Sequence, residues 1–333
     1  MPTGPTAAYA APVGEASTSV DELICPGCRT RNGDRLELRT LERAGDVLRC
    51  ECGRGYPIID GVPIVLGDPG AYLRDGLATV LERDVPPEVA ALLVAEVADD
   101  HPYAQLMEHL SLYLDAHWGD RAEPPAPLGA RELVERIAAL PRVERAVELG
   151  CSAGRIAAEL PAERVVGLDL QLGAVRRARR ILDGERVAYG RRLAGRHYSP
   201  AAIQVGAVAD RTLICANALD PPLIPGHYDR VVALNLLDSV ARPRLLLSVI
   251  DGLCKRGGEV ILSSPYAWQG SVMEDGERIG GADPAAEVAA ILREGRGIAG
   301  RYEIEEAEVS WTLRRDARTS ITYRAHFLRG RKR

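Results

Sequence analysis

The chain has 333 residues, room for one large domain and a small one. Hydrophobic residues at 46% and charged residues at 27% give an ordinary globular balance, and a net charge of −5 speaks against a general nucleic-acid surface. No run approaches the roughly 18 apolar residues of a membrane span. Residues 1–20 are rich in Ala, Pro, Gly, Ser and Thr, without a basic start or apolar centre, and read as a flexible tail rather than a signal peptide. Seven cysteines without a secretory leader argue for a reducing, cytoplasmic setting.

Residues 21–67 form a unit. Cys25-Pro26-Gly27-Cys28 opens it and Cys50-Glu51-Cys52 closes its first part. Between the pairs, strands at 35–41 and 46–48 are expected, joined at Ala44-Gly45. Cys25, Cys28, Cys50 and Cys52 are two close thiol pairs on two turns, the arrangement that suits a structural zinc ion in a zinc-ribbon-like β module. A unit this small has little core, so metal would supply folding energy. A redox dithiol or four reduced, metal-free cysteines are the competing readings.

The connector, 68–140, carries no strand signals. Pro86-Pro87 starts an apolar helix expected over 88–97, and Asp99-Asp100 precede a second over 101–117. In the latter Leu106, Leu110 and Leu114 form a one-face stripe, and Gly119 stops it. These helices are expected to cap the site. His117 and Trp118 either pack on the core or line the active site.

The region 141–333 is expected to be an α/β domain. An apolar strand runs through Ala146-Val147-Glu148-Leu149 into Gly150-Cys151-Ser152-Ala153-Gly154, then a short helix, then Val165-Val166-Gly167-Leu168-Asp169-Leu170. Further strands are expected at 212–216, 228–234 and 259–263, with helices at 131–140, 172–182 and 242–254. Arg176, Arg177, Arg179 and Arg180 are expected mostly on a solvated helix face. Strands alternating with helices predict a mostly parallel, Rossmann-like sheet with helices on both faces. Ligand then binds at the carboxyl ends of the strands, where Glu148, Asp169, Asn217 and Asn235 fall.

The loop glycines allow close backbone approach, and Asp169 sits where a carboxylate accepts hydrogen bonds from a ribose diol. The loop reads E-x-G-x-S-x-G, not the dinucleotide pattern G-x-G-x-x-G. Glu148 would repel a pyrophosphate but attract a cationic ligand. This stretch resembles the cofactor site of class I S-adenosylmethionine-dependent methyltransferases. The resemblance implies cofactor contacts from Glu148, Gly150, Ser152, Gly154, Asp169, Leu170, Asn217, Ala218 and Asn235. At 217 that family commonly has an aspartate holding the adenine amino group; asparagine can still accept the bond, or simply close a turn.

Two narrower resemblances follow. Gly55-Tyr56-Pro57-Ile58-Ile59-Asp60-Gly61-Val62-Pro63 is similar to the end of the small zinc-binding activator subunit of tRNA and translation-factor methyltransferases, although Cys50-Glu51-Cys52 replaces its usual C-x-x-C. Asn235-Leu236-Leu237-Asp238, Ser263-Ser264-Pro265-Tyr266-Ala267-Trp268 and the 311–318 segment resemble the mercaptohistidine N-methyltransferase domain of ovothiol synthases, over about 145–331. The insert at 186–210 has a counterpart there.

That likeness implies methylation of a small molecule or peptide, with an imidazole or related ring as acceptor. Asn235, Tyr266, Trp268 and His117 would stand at the reacting centre, and Arg191, His197 and Tyr198 in the acceptor pocket. Core packing is the competing reading for Tyr266 and Trp268. Methylation of tRNA or a protein, and a non-catalytic cofactor-binding scaffold, are the alternatives.

Overall fold

The computed structural model describes residues 20–32, 35–95, 98 and 101–333. The expected tail therefore lies outside the described residues but for Val20, as do Asp99 and Asp100. The large domain is built on a seven-stranded sheet. Its strands are β1 (Val143–Leu149), β2 (Ala162–Asp169), β3 (Arg211–Cys215), β4 (Tyr228–Leu234), β5 (Cys254–Ser264), β6 (Tyr302–Arg314) and β7 (Ser320–Lys332). The order across the sheet is β3-β2-β1-β4-β5-β7-β6. β1 to β5 are parallel, and β7 enters antiparallel between β5 and β6.

Alternation along the strands loads both faces. Val165, Leu213, Cys215, Val232 and Ile261 join one core. Val147, Leu149, Val166, Leu168, Ile214, Val231 and Leu262 join the other. A sheet buried on both faces is the parallel α/β arrangement, and the chain reverses direction across the sheet between β1 and β4. That reversal opens a crevice beyond the strands' carboxyl ends.

The cysteine unit folds as expected in outline, with different pairing. Glu42–Ala44 pairs with Val47–Arg49, while Arg35–Glu37 pairs instead with Thr30–Asn32. The tight turn at Gly45 (φ +64°) starts the pairing at Ala44 and Val47, and it ends at Glu42 and Arg49, where the chain turns into the Cys50–Cys52 segment. The 35–41 run therefore does not form one strand; Thr40 bridges Ile24 and Leu41 enters the core. The unit docks on the outer edge of β3: Ile64 bridges Cys215 in parallel, and Val65 N–H donates to the Cys215 carbonyl at 2.9 Å. An exposed sheet edge is thereby covered from within the chain.

Two connector helices escape the sequence signals, Pro69–Asp75 and Leu77–Leu81. Asp68 caps the first, accepting from Ala71 N–H at 2.8 Å. The apolar helix spans Pro87–Ala95 and the long helix Pro102–Trp118. The deepest face of the long helix is Ala104, Met107, Ser111, Leu114 and Trp118, one step round from the expected leucine stripe. Polar members of that side are used: Ser111 accepts from Arg192 N–H and Asp115 holds Arg191. A two-residue strand, Ala122–Glu123, breaks the expected strand-free connector by pairing with the His197–Ile203 strand of the inserted hairpin.

The arginines of the Leu172–Leu182 helix correct another expectation. Arg176 and Arg177 are buried, not solvated. Arg176 pairs with Asp60 of the cysteine unit, Arg177 with Glu82 and Asp84, and Arg180 with Asp84 and Glu185. Arg179 pairs with Asp183 and donates to the Gly61 carbonyl. The helix thus fastens connector and cysteine unit to the sheet. Burial of the guanidiniums is tolerable only because each is paired.

Candidate active site

The loop after β1 turns on two glycines. Gly150 (φ +78°) and Gly154 (φ +77°) are left-handed, and a Cβ on either would lie 2.9 Å from Leu236 or Ala178 side-chain carbons. Asp169, at the tip of β2, faces this loop across the sheet. Its Oδ2 accepts from Ser152 N–H and its Oδ1 from Gln171 N–H, both at 2.9 Å. The carboxylate is thereby fixed at the strand end, while burial holds its pKa above the ordinary value against those two donors.

Leu170 follows as an exposed rim residue. Tyr72 reaches over it, donating to the Leu170 carbonyl at 2.7 Å and accepting from Leu172 N–H at 3.3 Å. Asn217 follows the end of β3; its Oδ1 accepts from Leu219 N–H at 2.9 Å, so the side chain closes a turn, with Ala218 buried inside it.

Glu148 lies buried beneath the loop, and its Oε2 has no hydrogen-bond partner among the described residues. Burial is the chief cause that pushes its pKa up to about 8; the charge of Asp169 adds to the rise, and the Ala157 N–H opposes it. A buried carboxylate oxygen left unpaired is costly, and a cation above it would relieve that cost. The residues present therefore fit S-adenosylmethionine: a carboxylate at the ribose position, glycines where backbone must approach, and an orphan acid near the sulfonium and amino group.

This arrangement has a consequence for pH. The ionised form of Glu148 attracts the cation, so affinity for S-adenosylmethionine is expected to rise as pH increases towards about 8. In apo protein the sign is opposite for stability. A carboxyl raised above its ordinary pKa contributes stability below that ordinary value and loses it as pH rises to about 8. Calorimetry across this range should show the affinity trend in the wild type and a flat profile in Glu148→Gln. Equal slopes in both would remove Glu148 from the site.

Beyond β4 and β5 the rim changes character. Asn235 (φ +51°), Tyr266 (φ +54°) and Trp268 (φ +24°) all stand in left-handed backbone, as does Ser152 (φ +45°) in the glycine loop. For Tyr and Trp this is a costly conformation of the kind that collects at functional sites. Ser263 Oγ donates to Asn235 Oδ1 at 2.9 Å, locking the amide. Tyr266 and Trp268 rings lie 5.6 Å apart and pack on the core with one side. Asp238 is buried; its Oδ2 accepts from Ala267 N–H at 2.9 Å, the Ser264 hydroxyl also favours its charged form, and its Oδ1 has no hydrogen-bond partner among the described residues. Burial raises its pKa.

The long helix roofs the crevice. His109, Tyr113 and His117 recur at i, i+4, i+8, with ring centroids 4.4 Å and 6.4 Å apart. Burial raises the pKa of Tyr113, with the charges of Tyr323, Asp169 and Asp238 adding to the rise. His117 stands edge-on to Trp311 at 5.5 Å, and its Nδ1 is buried without a hydrogen-bond partner among the described residues. Burial lowers its pKa to about 4, with Arg155 assisting, so it is a neutral imidazole at physiological pH. Trp118 packs on the core: its indole N–H donates to the Ala153 carbonyl at 2.7 Å and Arg155 covers its ring.

Of the three insert residues, Arg191 is corrected. It is buried in an ion pair with Asp115, whose other partners are Tyr189 and Arg314, and it also donates to the Pro124 carbonyl, so its guanidinium is held inside the fold. His197 is exposed and Tyr198 half-buried near Met107.

The four cysteines converge. Their Sγ atoms all lie within 4.8 Å of one another, with Cys28–Cys50 at 3.7 Å and Cys25–Cys52 at 3.9 Å. Tetrahedral zinc thiolates at about 2.3 Å require sulfur spacings of about 3.8 Å, which two of the cysteine pairs meet, so the donor set fits that ion. Arg54 lies 3.7 Å from Cys52 Sγ and 3.9 Å from Cys28 Sγ, and Tyr56 Oη 3.0 Å from Cys25 Sγ. A cation and a hydroxyl beside four thiolates offset the excess negative charge such a site would carry.

Sequence reasoning missed Tyr72, His109, Tyr113, Asp238 as a lone acid, and His326. The His-Tyr-His spacing on one helix was the available signal for two of them.

A reversing parallel sheet, a glycine loop after its central strand and an acid at the tip of the next define the class: a Rossmann-like methyltransferase fold. Residues 147–262 match the family model described as Methyltransferase domain. The chain is an S-adenosylmethionine-dependent methyltransferase. No curated protein matches it. Among solved structures it is similar to one from a complex between the Haloferax volcanii Trm112 methyltransferase activator and a putative methyltransferase. That pair shows 14% identity, 74% of this chain and 99% of the other covered, and TM-score 0.42. It is also similar to the N-methyltransferase NodS from Bradyrhizobium japonicum WM9, at 16% identity, 61% and 96% coverage, and TM-score 0.39.

Proposed function

We propose that the chain methylates a nitrogen of a small-molecule or peptide acceptor, an imidazole or related ring, in the crevice between Asn235, Asp238, Tyr266, Trp268 and His117. The observation that carries this reading is the orphaned Oδ1 of buried Asp238 beside two aromatic rings. An acceptor N–H satisfies that oxygen, and a planar ring stacks on Tyr266 or Trp268. The cofactor, when bound, supplies an electrophilic methyl on sulfur. Glu148, Gly150, Ser152, Gly154, Asp169, Leu170, Asn217, Ala218 and Asn235 would hold it, with Tyr72 as a cover. The protein's work is alignment of the two reactants and exclusion of water, for which the roofing helix is suited.

The cysteine unit is proposed to hold one structural zinc through Cys25, Cys28, Cys50 and Cys52. Four protein thiolates leave no open position for chemistry. The domain limits proposed are 21–67 for this unit, 68–140 for the connector and cap, and 141–333 for the catalytic domain. Against a tRNA acceptor stand the negative net charge and the helix arginines, whose guanidiniums are spent on acid partners. Among the described residues no helix is long and apolar enough to cross a membrane.

Trp268→Ala tests the acceptor placement. Turnover on an accepted imidazole is expected to fall at least about tenfold, the loss of one aromatic contact. Affinity for S-adenosylmethionine, measured separately by calorimetry, should stay within about twofold. His117→Ala should show a milder form of the same pattern. Equal losses of cofactor binding and turnover in Trp268→Ala would move the acceptor elsewhere.

A further inference from the structure

We propose that Asp238 is a catalytic residue. It takes the ring N–H of the acceptor, so that the other ring nitrogen presents its lone pair to the methyl, and it is the counter-charge for the ring cation that forms. This rests on the nitrogen-acceptor reading above and deepens it.

Asp238 lies in the short turn Leu237–Ser239 that follows β4. Its Oδ2 accepts from Ala267 N–H at 2.9 Å, and its carbonyl accepts from Gln269 N–H at 3.0 Å. Gln269 Nε2 donates in turn to Ser239 Oγ at 2.8 Å. The acid is thus fastened to the chain on both sides of Trp268. Tyr266 is fixed in the same loop: its N–H donates to Ser264 Oγ at 3.0 Å, and its Oη reaches His326 Nδ1 at 2.8 Å. With these bonds made, Asp238 Oδ1 is left buried and without a hydrogen-bond partner among the described residues, beside two rings held in place.

The buried acids divide by what lies against them. Glu22, Asp115 and Asp251 each pair with a cation, Arg145, Arg191 and Lys332. Glu148 and Asp238 are buried with no such partner among the described residues. A carboxylate buried without a counter-ion is costly to keep. These two acids stand at the two places where the reaction puts positive charge: Glu148 under the cofactor loop, and Asp238 at the acceptor rings.

The transfer balances without moving a proton. The lone pair of the hydrogen-free ring nitrogen makes the new N–CH3 bond, and the electrons of the broken S–CH3 bond return to sulfur. The positive charge leaves sulfur and appears on the ring, whose N–H stays on Asp238. Attraction between ring and carboxylate is therefore stronger in the transition state than before it, which lowers the barrier. The same hydrogen bond fixes the tautomer and makes the opposite nitrogen more basic.

The test uses the full chain, S-adenosylmethionine, and histidine, 5-mercaptohistidine and histamine as acceptor probes. The product formed from the best probe shows which ring nitrogen the wild type methylates. A blocked probe is then made, the same molecule with a methyl on the other ring nitrogen. It keeps the attacking lone pair and lacks the N–H. Wild-type kcat/KM on the blocked probe should be lower by at least about a hundredfold, as for a site built to bond a group its ligand lacks. In Asp238→Ala, kcat/KM on the best probe should fall by about a hundredfold, and the blocked probe should come within about threefold of it. In Asp238→Asn, which keeps the shape and loses the charge, kcat on the best probe should fall at least about tenfold. Affinity for S-adenosylmethionine, measured by calorimetry, should stay within about twofold in both variants. A merely structural Asp238 would lower both rates alike and leave the discrimination between the probes unchanged. Equal wild-type rates on the two probes, or full discrimination in Asp238→Ala, overturns the role of Asp238 alone. Should Asp238→Ala not fold, an unchanged kcat in Asp238→Asn overturns it. No transfer by the wild type to any probe overturns the nitrogen-acceptor reading, and the role of Asp238 falls with it.

Discussion

Asp169→Ala weakens binding of S-adenosylmethionine by one to two decades. A charge-assisted hydrogen bond to a ribose diol contributes about 1.5–3 kcal/mol, and about 1.4 kcal/mol is one decade of affinity. Asp169 also anchors the Ser152 and Gln171 N–H groups, so the glycine loop loosens when its carboxylate is removed. Asp169→Asn separates the two contributions. Its amide oxygen can still accept one backbone N–H, so it should fall between wild type and alanine. Calorimetry on folded protein is the check, and unchanged affinity in Asp169→Ala would remove this residue from the site.

The second large effect concerns the cysteine unit. Elemental analysis of protein purified without added metal should find one zinc per chain. Stripping it with a strong chelator, or Cys50→Ser, should unfold residues 21–67 first, since a metal in a module this small contributes on the order of 10 kcal/mol. The catalytic domain should then lose thermal stability as well. Its β3 edge would lose the Val65–Cys215 hydrogen bond, and Arg176 its partner Asp60. Metal content near zero in a protein whose front unit is still folded would contradict the assignment.

What the sequence made legible is what local chemistry encodes. Glycines at 150 and 154, an apolar strand before them and Asp169 after the next strand are a signal within some twenty residues, and the structure builds them into one turn and one strand tip. The cysteine pairs converge for the same reason. The arginines of the Leu172–Leu182 helix were misjudged because Asp60, Glu82 and Asp84 lie far away in the chain, and only the fold brings acid to base. Arg191 was misplaced likewise, since Asp115 claims it across the inserted hairpin. His326 carries no local motif. Only an antiparallel register sets it opposite Ser264, within reach of Tyr266. The mispaired hairpin at 35–49 is a different failure: the pairing that starts at the Gly45 turn stops at Glu42 and Arg49, before the Cys50–Cys52 turn, so 35–37 takes another strand as partner.

The most direct test of the account is a crystal structure of the full chain with S-adenosylhomocysteine. The expected result puts the ribose on Asp169, the homocysteine amine over Glu148, and the sulfur facing the crevice bounded by Asp238, Tyr266 and Trp268. A ligand whose ribose avoids Asp169, or whose sulfur points away from that crevice, would contradict both the cofactor site and the acceptor site proposed for this protein.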